Sequence, residues 1–340
     1  MKLMTVKWLA ALVFGGSLSG FSCDQGTAPV LPAAAESRQV SRPRVAAPKR
    51  ASPAAASPAP LSAIPVPDRL VAIGDLHGDL AATKEALRLA GAIDASDRWI
   101  GEDLTIVQTG DVLDRGNDEP EIYQLLWDLG RAAEPHGGRV VLLNGNHELM
   151  NAAGDLRYVT ENGLEDFAHV DAGALDAQGV QVPSSVRGRL AAFLPGGAWA
   201  VRLAENPIVA LVGDTLFAHG GVRQEHVSFG LAKLNRLASE WLRGDLDAPP
   251  GVLTGTEAPV WTRRYSEQSP APDVCRELEA ILQSVGAKRM VVGHTVQSAG
   301  IAAGCERKLW RIDVGLSAYY GAGPTQVLEI DDGTAKVLSE

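Results

Sequence analysis

Apolar residues fall along this chain in short blocks, and their period alternates from block to block. Leu70 to Ile73 is a continuous apolar run of strand length. The next stretch, "LAATKEALRLAG", sets Leu80, Thr83, Ala86, Leu87 and Ala90 along one helical stripe, with Asp79 placed to cap it and Gly91 to stop it. The unit then repeats: "LTIVQTGD" reads as a strand, "EPEIYQLLWDLGRAAE" as a helix and "GRVVLLNGNHE" as a strand. Strands alternating with helices predict a largely parallel sheet covered by helices. Residues 147–196 have few β-branched runs and read as a helical, irregular excursion over one face. "AWAVRLAENPIVALVGDTLFAHGG" follows, with three strand-like runs separated by turns at "ENP" and "GD". Helices are predicted from about Leu231 to Leu242 and from Val274 to Val285. "KRMVVGHT", "LWRIDVG", "TQVLEI" and "AKVLSE" read as strands, the last two joined by the hairpin signal Asp331-Asp332-Gly333. The expectation is one α/β domain over residues 69–340, with a βαβαβ core and two sheets packed face to face as a sandwich flanked by helices.

Ahead of residue 69 the pattern differs. Lys2 and Lys7 precede the apolar run Trp8–Phe14, and small residues follow through Gly20 and Ser22. Residues 1–23 therefore read as an export signal; the apolar run falls short of the ~20 residues that span a bilayer. "LSGFSC" resembles a bacterial lipobox, with Gly20 where Leu is usual and the bulky Phe21 beside it. Cys23 then either carries a lipid anchor or is simply part of a secreted chain. Residues 24–68 are Ala, Pro, Ser and scattered Arg, a composition that cannot bury a core and reads as an extended tether. The expected location is outside the bacterial cytoplasm, in the periplasm or on a membrane as a lipoprotein.

Charge and cysteines narrow the chemistry. A net charge of -10 over 340 residues argues against nucleic acid as the main partner, yet is compatible with a phosphate substrate handled through metal ions. The three cysteines, Cys23, Cys275 and Cys305, contain no CxxC pair, which disfavours a thiolate zinc site. In an oxidising compartment Cys275 and Cys305 are an even pair. They flank the strand "MVVGHT" from its preceding helix and its following loop, close enough in an α/β layer for a disulfide.

Five strands end in the same kind of residue. "VAIGDLHG" offers Asp75 and His77, "IVQTGDVLDRG" Asp111, Asp114 and Arg115, "LLNGNHE" Asn146 and His147, "LFAHGG" His219, and "MVVGHT" His294. Ligands of open α/β sheets gather beyond the carboxyl ends of strands, so these positions should converge on one crevice. Imidazoles, carboxylates and an amide oxygen with no thiolate suit one or two borderline divalent ions such as Fe, Mn or Zn. Arg115 follows the Asp111-to-Asp114 turn, and its fork matches two phosphate oxygens. Arg263 or Arg264 of "WTRRY" is a second such candidate, not separable by spacing. His226 lacks a flanking pattern. Glu148 and Asn151 are expected to hold the loop rather than react.

GDLHG, GDVLDRG, GNHE, HGG and GHT together resemble the signature of the calcineurin-like metallophosphoesterases, over residues 69–316. The "DRG" and "NHE" forms are similar to the phosphoprotein phosphatase branch, and "GNHELMN" with "PVWTRRY" to the Shewanella-like protein phosphatases, which lean towards phosphotyrosine. The resemblance implies two metal ions: Asp75 and His77 on the first, Asp111 bridging, and Asn146, His219 and His294 on the second. It leaves His147 and Asp114 as an acid pair, with Arg115 and, of the two arginines in "WTRRY", Arg263 taken as candidate phosphate holders from their chemistry. "GHTVQS" lacks the second histidine that many relatives carry, which weakens the hold on the first ion. The implied activity is hydrolysis of phosphomonoesters, on phosphorylated peptides or small phosphate esters. A dinucleoside polyphosphate hydrolase would need a base-stacking pocket, for which 5% aromatic content is sparse. A metal-bound binding module without turnover would need no acid pair.

Overall fold

The computed structural model describes residues 61–340 except 62, 66, 178 and 322. The expected export signal, the lipobox Cys23 and most of the expected tether lie outside the described residues. Among the described residues the chain forms eleven strands and ten α-helices. The strands are β1 (Ala63–Ile64), β2 (Arg69–Ile73), β3 (Thr105–Gln108), β4 (Arg139–Leu142), β5 (Val209–Val212), β6 (Thr215–Ala218), β7 (Arg289–Val292), β8 (Ala302–Gly304), β9 (Leu309–Arg311), β10 (Gln326–Asp331) and β11 (Thr334–Ser339). The helices are α1 (Leu80–Leu89), α2 (Glu119–Ala133), α3 (Asn146–Ala152), α4 (Glu161–Glu165), α5 (Gly173–Ala177), α6 (Ser184–Phe193), α7 (Ala198–Leu203), α8 (Gln224–Phe229), α9 (Leu231–Leu242) and α10 (Pro272–Val285).

Two sheets form, in the orders β11-β10-β2-β3-β4 and β1-β5-β6-β7-β9-β8. Period-2 alternation explains how they pack. Leu70 and Ala72 of β2, Val107 of β3 and Val141 of β4 meet Phe217 of β6, Val291 of β7 and Trp310 of β9 in one buried cluster between the sheets. Their strand neighbours Val71, Ile73, Ile106, Leu216, Met290 and Leu309 belong instead to the larger cluster shared with α1, α2, α9 and α10. The expected sandwich with helices outside is therefore present.

The expectation of largely parallel sheets holds only at their centres. β2-β3-β4 and β6-β7-β9 are parallel triads, flanked by antiparallel β10, β5 and β8. "AWAVRL" is not a strand but α7: Ala, Leu and Arg are strong helix formers, and Ala200 and Leu203 bury one side at helical spacing. β1 pairs with β5 through Ala63 and Leu211, so the end of the stretch read as a tether is part of the sheet. Cys275 and Cys305 are joined by the expected disulfide, with Cα atoms 5.2 Å apart.

Candidate active site

The two parallel triads aim their carboxyl ends at one crevice. Beyond β2, β3 and β4 lie Asp75 with His77, Asp111, and Asn146; beyond β6 and β7 lie His219 and His294. Beyond β9 lies Asp313, a residue the sequence reading passed over because "RIDVG" lacks the glycine that precedes Asp75 and Asp111.

The connecting loops are held in uncommon backbone conformations. His77, Asp111, Asp114, Arg115 and His294 all have φ between 43° and 69°, in the left-handed region that costs non-glycine residues. Neighbouring loops hold them there: the amides of Leu76 and His77 both donate to the Asp111 carbonyl at 3.0 Å. The loops touch backbone to backbone. A Cβ on Gly110 would stand 2.4 Å from the Gly145 nitrogen, which explains the glycines that precede Asp111 and Asn146. Glu148 supplies the remaining grip. Its carboxylate accepts from the amides of Asp111, Val112, Leu113 and Gly145 at 2.7–3.2 Å and from the Tyr123 hydroxyl at 3.1 Å. It is saturated, and it holds the loop as the sequence reading expected.

The histidine tautomers follow from their partners. His219 Nδ1 donates to the Thr109 carbonyl at 3.0 Å, leaving Nε2 to accept. That Nε2 lies 3.0 Å from Asn146 Oδ1, 3.1 Å from Asp111 Oδ2 and 3.2 Å from His294 Nδ1. Burial, and then the His219 ring, hold His294 down to about 3, which keeps that ring neutral. The Asn146 amide donates towards Met150 Sδ, which turns its oxygen inward. Asn146 Oδ1, Asp111 Oδ2, His219 Nε2 and His294 Nδ1 thus converge, a donor set that fits a cation. His77 is similar: Nδ1 donates to the Leu113 carbonyl at 2.9 Å, and burial, its largest influence, holds the ring down to about 4. Its Nε2 stands 3.7 Å from Asp111 Oδ2 and that of His147 3.8 Å. The ligand atoms form two groups that share Asp111: His77 with His147, and His219 with His294.

Asp75 sits behind the second group, its two oxygens each 3.2 Å from the His294 amide. It belongs to neither tight group. Burial and then the neighbouring Asp313 push its carboxyl up, and burial likewise pushes Asp313 up to about 6. This crowd of buried carboxyls is a second feature that suits cations.

His147 differs from the other rings. Its Nδ1 is 2.5 Å from Asp114 Oδ2. Burial opposes its charge, but Asp111 and the Asp114 hydrogen bond outweigh burial and raise its pKa. Arg115 lies at the mouth, with Nη1 3.3 Å from His77 Nε2 and its guanidinium 5.2–5.4 Å from the rings of Tyr158, Tyr319 and Tyr320. Nothing in the sequence marked these three tyrosines. Arg263 donates to Thr295 Oγ1 beside His294, at 2.7 Å, whereas Arg264 is turned away to Asp273 and Glu277 on α10. His226 belongs to neither ligand group: its Nδ1 accepts from the Arg223 amide and caps α8.

Comparison with known proteins agrees with this geometry. Residues 68–298 match the family model of the calcineurin-like phosphoesterases. The chain is 41% identical to Shewanella-like protein phosphatase 2 of Arabidopsis thaliana, over 80% of this chain and 78% of that one. It is 32% identical to Shewanella-like protein phosphatase 1 of Plasmodium berghei, over 79% and 74% of the two chains. The solved cold-active protein-tyrosine phosphatase of a psychrophilic Shewanella superposes with a TM-score of 0.62 at 26% identity, covering 81% of this chain and 82% of that one. A family model spanning most of the folded part and relatives of this identity settle the membership: the chain belongs to the calcineurin-like phosphoesterase family, on the branch of the Shewanella-like protein phosphatases, and is a metal-dependent phosphoric monoester hydrolase.

Proposed function

We propose that this enzyme is an exported protein phosphatase that prefers phosphotyrosine. The observation that carries the reading is the His147–Asp114 pair, a raised-pKa imidazole beside the converging acceptors of the metal groups. His77, Asp111, Asn146, His219 and His294, with Asp75 behind them, would hold two ions, of which Mn, Fe and Zn all suit the donor set. Ions held there supply charge neutralisation at phosphorus and activation of water near neutral pH.

The chain's own residues do the rest. Arg115 and Arg263 present N–H groups to the non-bridging phosphate oxygens from two sides of the crevice. Asp114 fixes the His147 ring with Nδ1–H held, so that Nε2–H is the proton offered to the departing oxygen. A phenolate leaves more readily than an alkoxide and needs that proton less. Tyr158, Tyr319 and Tyr320 give the mouth an aromatic lining suited to a phenyl ring, and the Shewanella relative's description as a tyrosine phosphatase points the same way. Export is supported by the amino-terminal pattern and by the Cys275–Cys305 disulfide, a bond that persists in oxidising compartments. Lipidation of Cys23 remains the anchoring reading; Cys23→Ala should release the protein from membranes into the soluble fraction.

The deciding experiment is a panel of phosphotyrosine peptides, phosphoserine peptides and dinucleoside polyphosphates with the metal-loaded enzyme. Higher kcat/KM on phosphotyrosine is the expected result. Preference for phosphoserine or dinucleoside polyphosphates overturns the substrate reading, and binding without turnover overturns the enzymatic one.

A further inference from the structure

We propose that Arg189, on α6, is a positioning residue for the proton donor, acting on His147 through Asn151, Glu119 and Asp114. The inference rests on the reading of His147 as that donor.

Arg189 is fully buried, 75 positions from Asp114 in sequence. All its donors are used. Nε gives to Asn151 Oδ1 at 2.8 Å; Nη1 gives to Glu119 Oε2 at 2.5 Å and the Gly163 carbonyl at 2.7 Å; Nη2 gives to Glu119 Oε1 at 3.1 Å and Asp114 Oδ1 at 3.4 Å. Phe167 and Phe193 flank the guanidinium, 5.2 and 4.9 Å away.

The chemistry of each bond gives it a consequence. By donating to Asn151 Oδ1, Arg189 selects one of the two orientations of that amide. The orientation selected turns Nδ2 to Asp114 Oδ1 at 2.9 Å and to the His147 carbonyl at 2.9 Å. The other would set an oxygen against a carboxylate. By pairing with Glu119, Arg189 also fixes the carboxylate that accepts from the Asp114 amide, at a residue whose φ is 68°. Asp114 is thus held at its backbone and at Oδ1, and only Oδ2 is left for the His147 ring. Stability alone gives a poor account of this arrangement. A buried charge is costly to desolvate, and apolar residues of similar volume often serve stability as well or better. What Arg189 adds is a defined direction for one carboxylate, at the end of a network that stops at His147.

The test compares kcat on 4-nitrophenyl phosphate, whose leaving group needs little help, with kcat on phenyl phosphate, whose leaving group needs more. Arg189→Gln, Arg189→Lys, Asn151→Ala, His147→Ala and the Arg189→Gln/His147→Ala double variant are measured with metal content and melting temperature. Arg189→Gln should lose at least ~10-fold more on phenyl phosphate than on 4-nitrophenyl phosphate, within the ~10²–10⁴ that a positioned acid contributes. Its metal content should stay unchanged, Lys should recover part of the loss, and the double variant should be no worse than His147→Ala alone. Equal losses on both substrates, or a full additional loss in the double variant, would overturn the proposal. If Arg189→Gln does not fold, Asn151→Ala carries the same comparison with the charge left in place. If His147→Ala itself shows no leaving-group dependence, the proton-donor reading falls and this inference with it; if it does and the Arg189 and Asn151 variants do not, only this inference falls.

Discussion

Asn146 and His147 are consecutive residues in the first turn of α3, yet their side chains meet different partners. The Asn146 oxygen faces His219, and the His147 ring is bonded to Asp114. Substitution should therefore separate them. Asn146→Ala is expected to lose bound metal, measured by elemental analysis. His147→Ala should keep its metal while kcat on alkyl phosphates falls ~10²–10⁴-fold, with a smaller loss on phosphotyrosine. Loss of metal from His147→Ala would show that this ring is a ligand. Gly110 is expected to tolerate no side chain, since its φ of 98° and the Gly145 backbone both exclude a Cβ; Gly110→Ala should cost about 3 kcal/mol in urea unfolding. Away from the site, burial, its main cause, holds His226 down to about 4. A histidine with a folded pKa below its unfolded value of about 6.5 binds more protons when unfolded. Its contribution is complete above pH ~6.5 and is lost as pH falls towards 4. His226→Gln should therefore show a shallower fall in melting temperature over that window.

At the scale of elements, what was legible in the sequence is what carries its own chemistry. β2, β3, β4, β6 and β7 each end in an Asp, Asn or His, and five such ends in one chain are too many to read as turns, so their convergence could be read without coordinates. Asp313 was missed because a lone Asp at a strand end also serves any turn. Arg189 and the three tyrosines were missed because their partners lie far away in sequence, and no local period marks a side chain that matters only after folding. α7 was misread for another reason: a six-residue apolar run with one arginine satisfies both periods, and only packing against α6 and α9 decides it. The Cys275–Cys305 pair was legible because a helix, the next strand and the following loop are necessarily neighbours. The bond closes a loop with a sequence separation of 30 and should contribute about 3 kcal/mol by restricting the unfolded chain. Reduction, or Cys275→Ser with Cys305→Ser, should lower the melting temperature while leaving kcat of the folded enzyme within about 2-fold at 25 °C. A large kcat loss at full folding would place the bridge in catalysis instead.

At the scale of the whole molecule, the first sheet supplies Asp75, His77, Asp111 and Asn146, and the second supplies His219 and His294. Ions bound between them bind only the assembled form, so they should stabilise it by mass action, about 2.7 kcal/mol at a free concentration 100 times Kd. Chelation should abolish activity and lower the melting temperature together, and Mn should restore both; full activity in protein verified metal-free would refute the metal dependence. The topology also sets an order in time. β10 lies against β2, so the strand that delivers Asp75 and His77 keeps an open edge until residues 326–331 have been made. His294 comes late as well, and every ligand of the first sheet must wait for it. The enzyme is therefore inert for nearly the whole of its own synthesis. On the export proposed above, a chain leaving the cytoplasm unfolded would pass through the cell without ever having been able to remove a phosphate there.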